Sequence, residues 1–202
     1  VLVGTLLLML PASSASSRWT SFLDALFTST SAVCVTGLVV ADTPTHWSLF
    51  GQIVILLLIQ VGGLGIMLFA ALVGLALLRR LTVRSQTFTH AETKSSEGGD
   101  VRRLAIGILT TTLSIEAAVA LALFIRFWTG YGFDPLKALW HGIFHAVSAF
   151  NNAGFALYSD SLMRFVSDPW VCLPISAAII VGGLGFPVLR QLRRELRRPL
   201  RW

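Results

Sequence analysis

Phe27-Thr28-Ser29-Thr30-Ser31-Ala32-Val33-Cys34-Val35-Thr36-Gly37 is answered 117 residues later by Phe144-His145-Ala146-Val147-Ser148-Ala149-Phe150-Asn151-Asn152-Ala153-Gly154. Each copy begins on an apolar ring, gathers small and polar side chains, and ends on a glycine. Each then leads into an apolar stretch with a second shared word, Val61-Gly62-Gly63-Leu64-Gly65 and Val181-Gly182-Gly183-Leu184-Gly185. A polar, glycine-bearing loop repeated inside apolar sequence points to a pore built by duplication. Non-helical backbone at membrane depth survives only where it is buried in protein or lines a watery path.

Composition supports a bilayer setting. Of 202 residues, 54% are hydrophobic and 13% charged, about half the charge fraction usual in soluble domains. The net charge of +6 is not spread as a nucleic-acid surface would require. Twelve of the sixteen Lys and Arg residues fall between Arg79 and Arg103 or between Arg190 and Arg201. Both groups flank apolar helices, so they read as cytoplasmic flanks of a multi-pass plasma-membrane protein, with no nucleic-acid partner. Cys34 and Cys172 form no disulfide framework. Val1 to Leu10 lacks the basic start of a signal peptide and reads as a membrane helix cut short where the chain begins.

Three segments are long enough to span a bilayer, which takes about 20 apolar residues: Trp47 to Leu78, Leu104 to Trp128 and Val171 to Leu189. Trp47, Trp128 and Trp170 are placed for an outer aromatic belt, and Arg126 for snorkelling from its helix end. Phe22 to Ala41 is fairly apolar but holds Asp24 and a run of hydroxyls. Leu136 to Leu157 carries a polar load that a lipid-facing span would not tolerate, and the basic flanks must lie on one side. Each reads as a re-entrant hairpin, a short helix followed by an extended loop. Ser21 with Asp24, and Asp134 before Pro135, supply helix starts, as Asp168 before Pro169 does for the last span. The expected fold is therefore an all-α integral membrane protein with tandem helix, pore-helix, loop, helix repeats. The first repeat covers residues 1–81 and the second 102–202, joined by a cytoplasmic linker over 82–101.

Carbonyl oxygens of such loops can replace the hydration shell of a cation. Gly37 and Gly154 permit the backbone angles that this needs, and each helix aims its negative end at the ion. With no carboxylate in either loop core, a monovalent cation suits the site better than calcium or magnesium.

Here the residues reach a family. Thr36-Gly37-Leu38-Val39-Val40 with Asp42-Thr43, and Ser148-Ala149-Phe150-Asn151-Asn152-Ala153-Gly154-Phe155, resemble the first two filters of Trk/Ktr/HKT potassium transporters. Gln60 to Gly65 and Val181 to Pro187 resemble the helices that follow those filters. The closest likeness is to the bacterial Ktr/Trk membrane subunit, over nearly the whole chain. The resemblance implies potassium translocation, with Val35, Thr36, Gly37 and Leu38 in one filter segment and Asn151, Asn152, Ala153, Gly154 and Phe155 in the other. It implies potassium as cargo with no cofactor, sodium coupling as an open point, and a homodimer beside a cytoplasmic ring of nucleotide-binding regulatory domains. Family members carry four repeats, and this chain carries two. The other two are expected from the rest of a longer chain or, as the less favoured reading, from a second copy.

Other polar residues have duller readings. Glu116, at mid-span, is a functional candidate by default, but helix glue is the favoured role. His141 and His145 lie one turn apart without an evident third metal ligand, so packing is favoured over metal binding. The two Gly-Gly-Leu-Gly words serve as hinges or close contacts, close contact being favoured. Asp42 and Asp160 either gather cations at a mouth or cap the next helix. No enzymatic activity is expected. The rivals are a non-conducting accessory subunit and, less favoured, a membrane enzyme built on Glu116.

Overall fold

The computed structural model describes residues 1–85 and 97–196, and its regular structure is helical throughout them. In chain order the helices are α1 (Leu2–Met9), α2 (Phe22–Val33), α3 (Thr43–His46), α4 (Leu49–Ser85), α5 (Glu97–Tyr131), α6 (Pro135–Phe150) and α7 (Pro169–Leu196). Within them, Leu49–Gly74, Arg102–Tyr131 and Pro169–Phe186 are long and apolar enough to cross a membrane. These correspond to the three expected spans. Much of their apolar surface is exposed, including Leu57, Val61, Phe69, Leu121, Ile125, Leu173 and Ile180, as expected of helices that meet lipid or further protein.

Helix α4 runs to Ser85 and α5 begins at Glu97, so both helices extend into the sequence expected as the linker over 82–101. Its central part, 86–96, and the end of the basic tail, 197–202, lie outside the described residues.

Local chemistry sets the helix starts. Ser21 Oγ accepts from the backbone N–H of Asp24 at 3.1 Å and donates to its carboxylate at 2.7 Å, capping α2. Asp134 accepts from Leu136 N–H at 3.0 Å, with Pro135 at the first helical position of α6. Asp168 does the same for α7 through Trp170 N–H at 3.0 Å. Each cap satisfies a donor that the first helical turn leaves free.

Two cores form. One joins α5, α6 and α7 around Leu123, Phe127, Ala146, Phe165 and Val171. The other joins α1, α2 and α4 around Leu8, Ala32, Ile55 and Ile59, and it also takes in Phe144, Val147, Ala153 and Phe155 from the second half. The second half thus inserts its short helix and loop into the core of the first. Trp140 reinforces the join by donating from Nε1 to Gln52 Oε1 at 2.9 Å.

Two expectations change here. Trp47 is buried, packed edge-on against His46, rather than facing outward like Trp128 and Trp170. Arg126 does not reach for solvent alone: its Nε donates to Asp168 at 2.7 Å, and its guanidinium lies 5.5 Å from the Tyr131 ring centre. A fixed carboxylate at the start of α7 outcompetes free snorkelling.

Candidate functional site

The two short helices end in the same way. After α2, Val35 N–H bonds Ala32 C=O and Thr36 N–H bonds Ser31 C=O, at 3.3 and 3.0 Å. After α6, Asn152 N–H bonds Ala149 C=O and Ala153 N–H bonds Ser148 C=O, at 3.0 and 2.8 Å. Both are Schellman caps, which turn the last helical carbonyls inward onto following N–H groups. The residue in the left-handed position is Val35 (φ 51°) in one copy and Asn152 (φ 58°) in the other. Two residues later, Gly37 (φ 75°) and Gly154 (φ 74°) are left-handed again. Asparagine tolerates this region, whereas a β-branched valine there is an outlier. Such strain persists only where the surroundings over-determine the backbone.

The two loops lie side by side. A Cβ on Gly37 would stand 2.6 Å from Ala153 O and 3.0 Å from Gly154 Cα, and one on Gly154 would stand 3.1 Å from Gly37 Cα. Any side chain at Gly37 would therefore collide with the opposite backbone. Both glycines are required twice over, for angle and for space.

Behind the loops, the second shared word finds its purpose. A Cβ on Gly62 would run into Val33 O, and a Cβ on Gly182 into Phe150 O. Val33 and Phe150 are the last residues of α2 and α6. In both halves a long helix thus presents bare backbone to the C-terminal carbonyl of the short helix. Close packing, the favoured reading, holds for these glycines. Gly185 adds the hinge reading in one copy: at φ 75°, ψ 159° it interrupts α7, whereas Gly65 stays helical with open space around it.

Of the expected site residues, Thr36, Leu38, Asn152 and Gly154 are exposed, Val35 and Gly37 are half-buried, and Asn151, Ala153 and Phe155 are buried. The Asn151 side chain turns away from the exposed face of the loop, toward Glu116. Thr36 Oγ1 folds back onto Ser31 C=O at 3.2 Å. The segment after Gly154 is stapled to α6: Ser148 Oγ donates to Phe155 C=O at 2.6 Å, and Leu157 N–H donates to His145 Nε2 at 3.3 Å. His145 Nδ1 meets His141 C=O at 2.7 Å, and His141 Nδ1 meets the Tyr158 hydroxyl at 2.9 Å. Both histidines are thus engaged in packing. Beside Gly154 lies an open cavity of about 270 Å³, bordered by His145, Ser148, Asn152, Phe155 and Ile179.

The two loops are also tied beyond the glycines. Asp42 accepts from Thr45 Oγ1 at 2.7 Å and from Ser159 Oγ at 2.6 Å, linking the halves. Asp160 is held by Arg164, with a guanidinium nitrogen 2.7 Å away, and that hydrogen bond, chief among the causes, keeps its carboxyl below the ordinary value. Neither Ser159 nor Tyr158 was singled out from sequence. A hydroxyl carries no positional signal until its partner is known.

Residues 2–197 match the family model described as TrkH, cation transport protein. The chain is 42% identical over 197 residues to the Ktr system potassium uptake protein B of Bacillus subtilis (strain 168), covering 98% of this chain and 43% of that protein. It is 41% identical over 192 residues to the potassium/sodium uptake protein NtpJ of Enterococcus hirae, covering 95% and 42%. The Ktr system potassium uptake protein B of Vibrio alginolyticus is 40% identical over 198 residues, covering 98% and 43%. The chain thus spans less than half the length of each of these relatives. They are transport proteins, not enzymes. A match over nearly every residue, with relatives this similar, places the chain in the TrkH family of cation transport proteins.

Proposed function

We propose that this chain carries potassium across the plasma membrane by supplying two of four segments of a carbonyl-lined selectivity filter. The observation that carries the reading is the pair of matched Schellman ends whose glycines, Gly37 and Gly154, meet. Left-handed angles at Val35 and Gly37, and at Asn152 and Gly154, alternate with ordinary ones at Thr36 and Ala153. Such alternation turns successive carbonyls toward one side, the arrangement that replaces an ion's hydration shell. On this reading α2 and α6 are pore helices, and the chain is two tandem membrane-pore-membrane repeats, residues 1–81 and 102–202, joined by a cytoplasmic linker. Val35, Thr36, Gly37, Leu38 and Asn151 to Phe155 form the filter segments.

Two further segments complete the ring, from the rest of a longer chain or from a second copy. The open cavity beside Gly154 gives room for one of them. The basic flanks face the cytoplasm, where a nucleotide-binding regulatory ring docks on a homodimer. Potassium is named for the Bacillus relative and potassium with sodium for NtpJ, so sodium is the competitor to measure.

Gly37→Ser and Gly154→Ser in the intact transporter test the reading. Potassium uptake with sodium as competitor should show lower potassium affinity and a narrower preference over sodium. Unchanged selectivity in both variants would remove the filter assignment. A non-conducting accessory role is favoured instead if the intact protein, reconstituted alone, passes no potassium.

A further inference from the structure

We propose that Glu116, Asn151 and Gln60 form a positioning node that holds the second filter segment against the first half of the chain and thereby sets ion preference. This rests on the filter reading above. Glu116 is buried at mid-span in α5, where an ionisable group needs a partner. Its Oε1 accepts from Asn151 Nδ2 at 3.0 Å. The same amide nitrogen lies 2.9 Å from Val147 C=O and 3.4 Å from Gln60 Oε1. An amide carries two hydrogens, so three acceptors share them and Gln60 holds the longest contact. Helices α4, α5 and α6 meet on this one side chain.

The other end of Asn151 is equally constrained. Among the described residues its Oδ1 has no hydrogen-bond partner, and it sits against Gly63, where any Cβ would overlap it. Gln60 Nε2 is also buried, with no hydrogen-bond partner among the described residues. Asn151 is the C-cap of α6, next to left-handed Asn152 and three before Gly154. A shift of its side chain therefore passes along two intervening residues to the backbone that abuts Gly37. The matching position in the first copy is Cys34, which is exposed and has no matching side-chain hydrogen bond among the described residues. The node is thus a feature of the junction between the halves and not of the repeat itself. A support that fixes a functional loop from behind governs its geometry without touching the ion.

The test uses the full-length transport protein in cells lacking their own potassium uptake, reading KM, Vmax, inserted protein and sodium competition. Glu116→Ala should raise KM for potassium about tenfold, the size expected from one buried hydrogen bond to a carboxyl group. Preference over sodium should narrow by a similar factor, with Vmax per inserted transporter changing far less. Glu116→Gln keeps an oxygen acceptor and should bring KM back to within about threefold. If Glu116→Ala fails to insert, Glu116→Asp, one methylene shorter, carries the same expectations. A KM and preference that stay at wild-type values, or a loss confined to the amount of inserted protein, would overturn the node. Gly154→Ser runs in parallel. Unchanged selectivity there removes the filter and the node together, whereas altered selectivity there with unaltered Glu116 variants removes the node alone.

Discussion

At the residue scale, Val35 and Asn152 occupy the same left-handed position with very different local preferences. Left-handed backbone costs an ordinary residue about 1–2 kcal/mol, and asparagine less. Val35 is held there by the cap it completes and by the core against which it packs. Asn152 is exposed, so its own conformational tolerance counts for more. Asn152→Val should lower stability by about 1–2 kcal/mol, and Asn152→Gly should be tolerated. Thermal unfolding in detergent measures both, and equal melting temperatures for the two would contradict the account. From sequence, Gly37 and Gly154 were legible as special positions because glycine is the usual left-handed residue. Val35 was legible only as a filter neighbour, since nothing in valine announces positive φ.

At the scale of elements, most of the framework was local and therefore readable. Ser21, Asp134 and Asp168 cap where their positions before apolar runs say they should. Helices α4 and α5 carry regular structure into the polar sequence between the halves, which periodicity in the apolar spans does not signal. The two Gly-Gly-Leu-Gly words show the limit of reading by likeness. Gly62 and Gly182 serve the same contact, yet Gly65 is an ordinary helical residue and Gly185 is an unwound one. Gly65→Ala should be neutral or stabilise α4 by up to about 1 kcal/mol. Gly185→Ala should cost about 1–3 kcal/mol, because that backbone region is nearly closed to other residues. Gly62→Ala should also destabilise, by forcing α4 off the end of α2. Detergent unfolding of the three variants side by side checks the order.

At the scale of the whole molecule, polar ties join the halves, Trp140 to Gln52 and Ser159 to Asp42, and another closes the second half on itself. Asp168 closes the ends of α5 and α7: desolvation works to raise its carboxyl, but hydrogen bonds from Arg126 and Tyr131 outweigh it and hold it below the ordinary value of 3.8. A depressed carboxylate contributes stability above its unfolded value and loses it as pH falls through the folded one. This tie should therefore be intact at neutral pH and fail only below about pH 3.8. Asp168→Asn should lower the melting temperature at pH 7, and the gap from wild type should close in strong acid. A gap independent of pH would show that the cap alone, worth about 1 kcal/mol, is at work.

What the sequence determined by itself was the three spans, the two polar loops, their glycines and the helix caps. Each depends on residues near one another in the chain, where hydrophobic length and capping chemistry act directly. What only the tertiary structure decided was which polar groups meet: Asn151 with Glu116, His145 with Leu157, Asp42 with Ser159, and Gly37 with Ala153. Those partners lie 12 to 117 positions apart. In an apolar interior a polar side chain takes whichever partner the packed helices bring near, because leaving it unpaired costs more than any local preference.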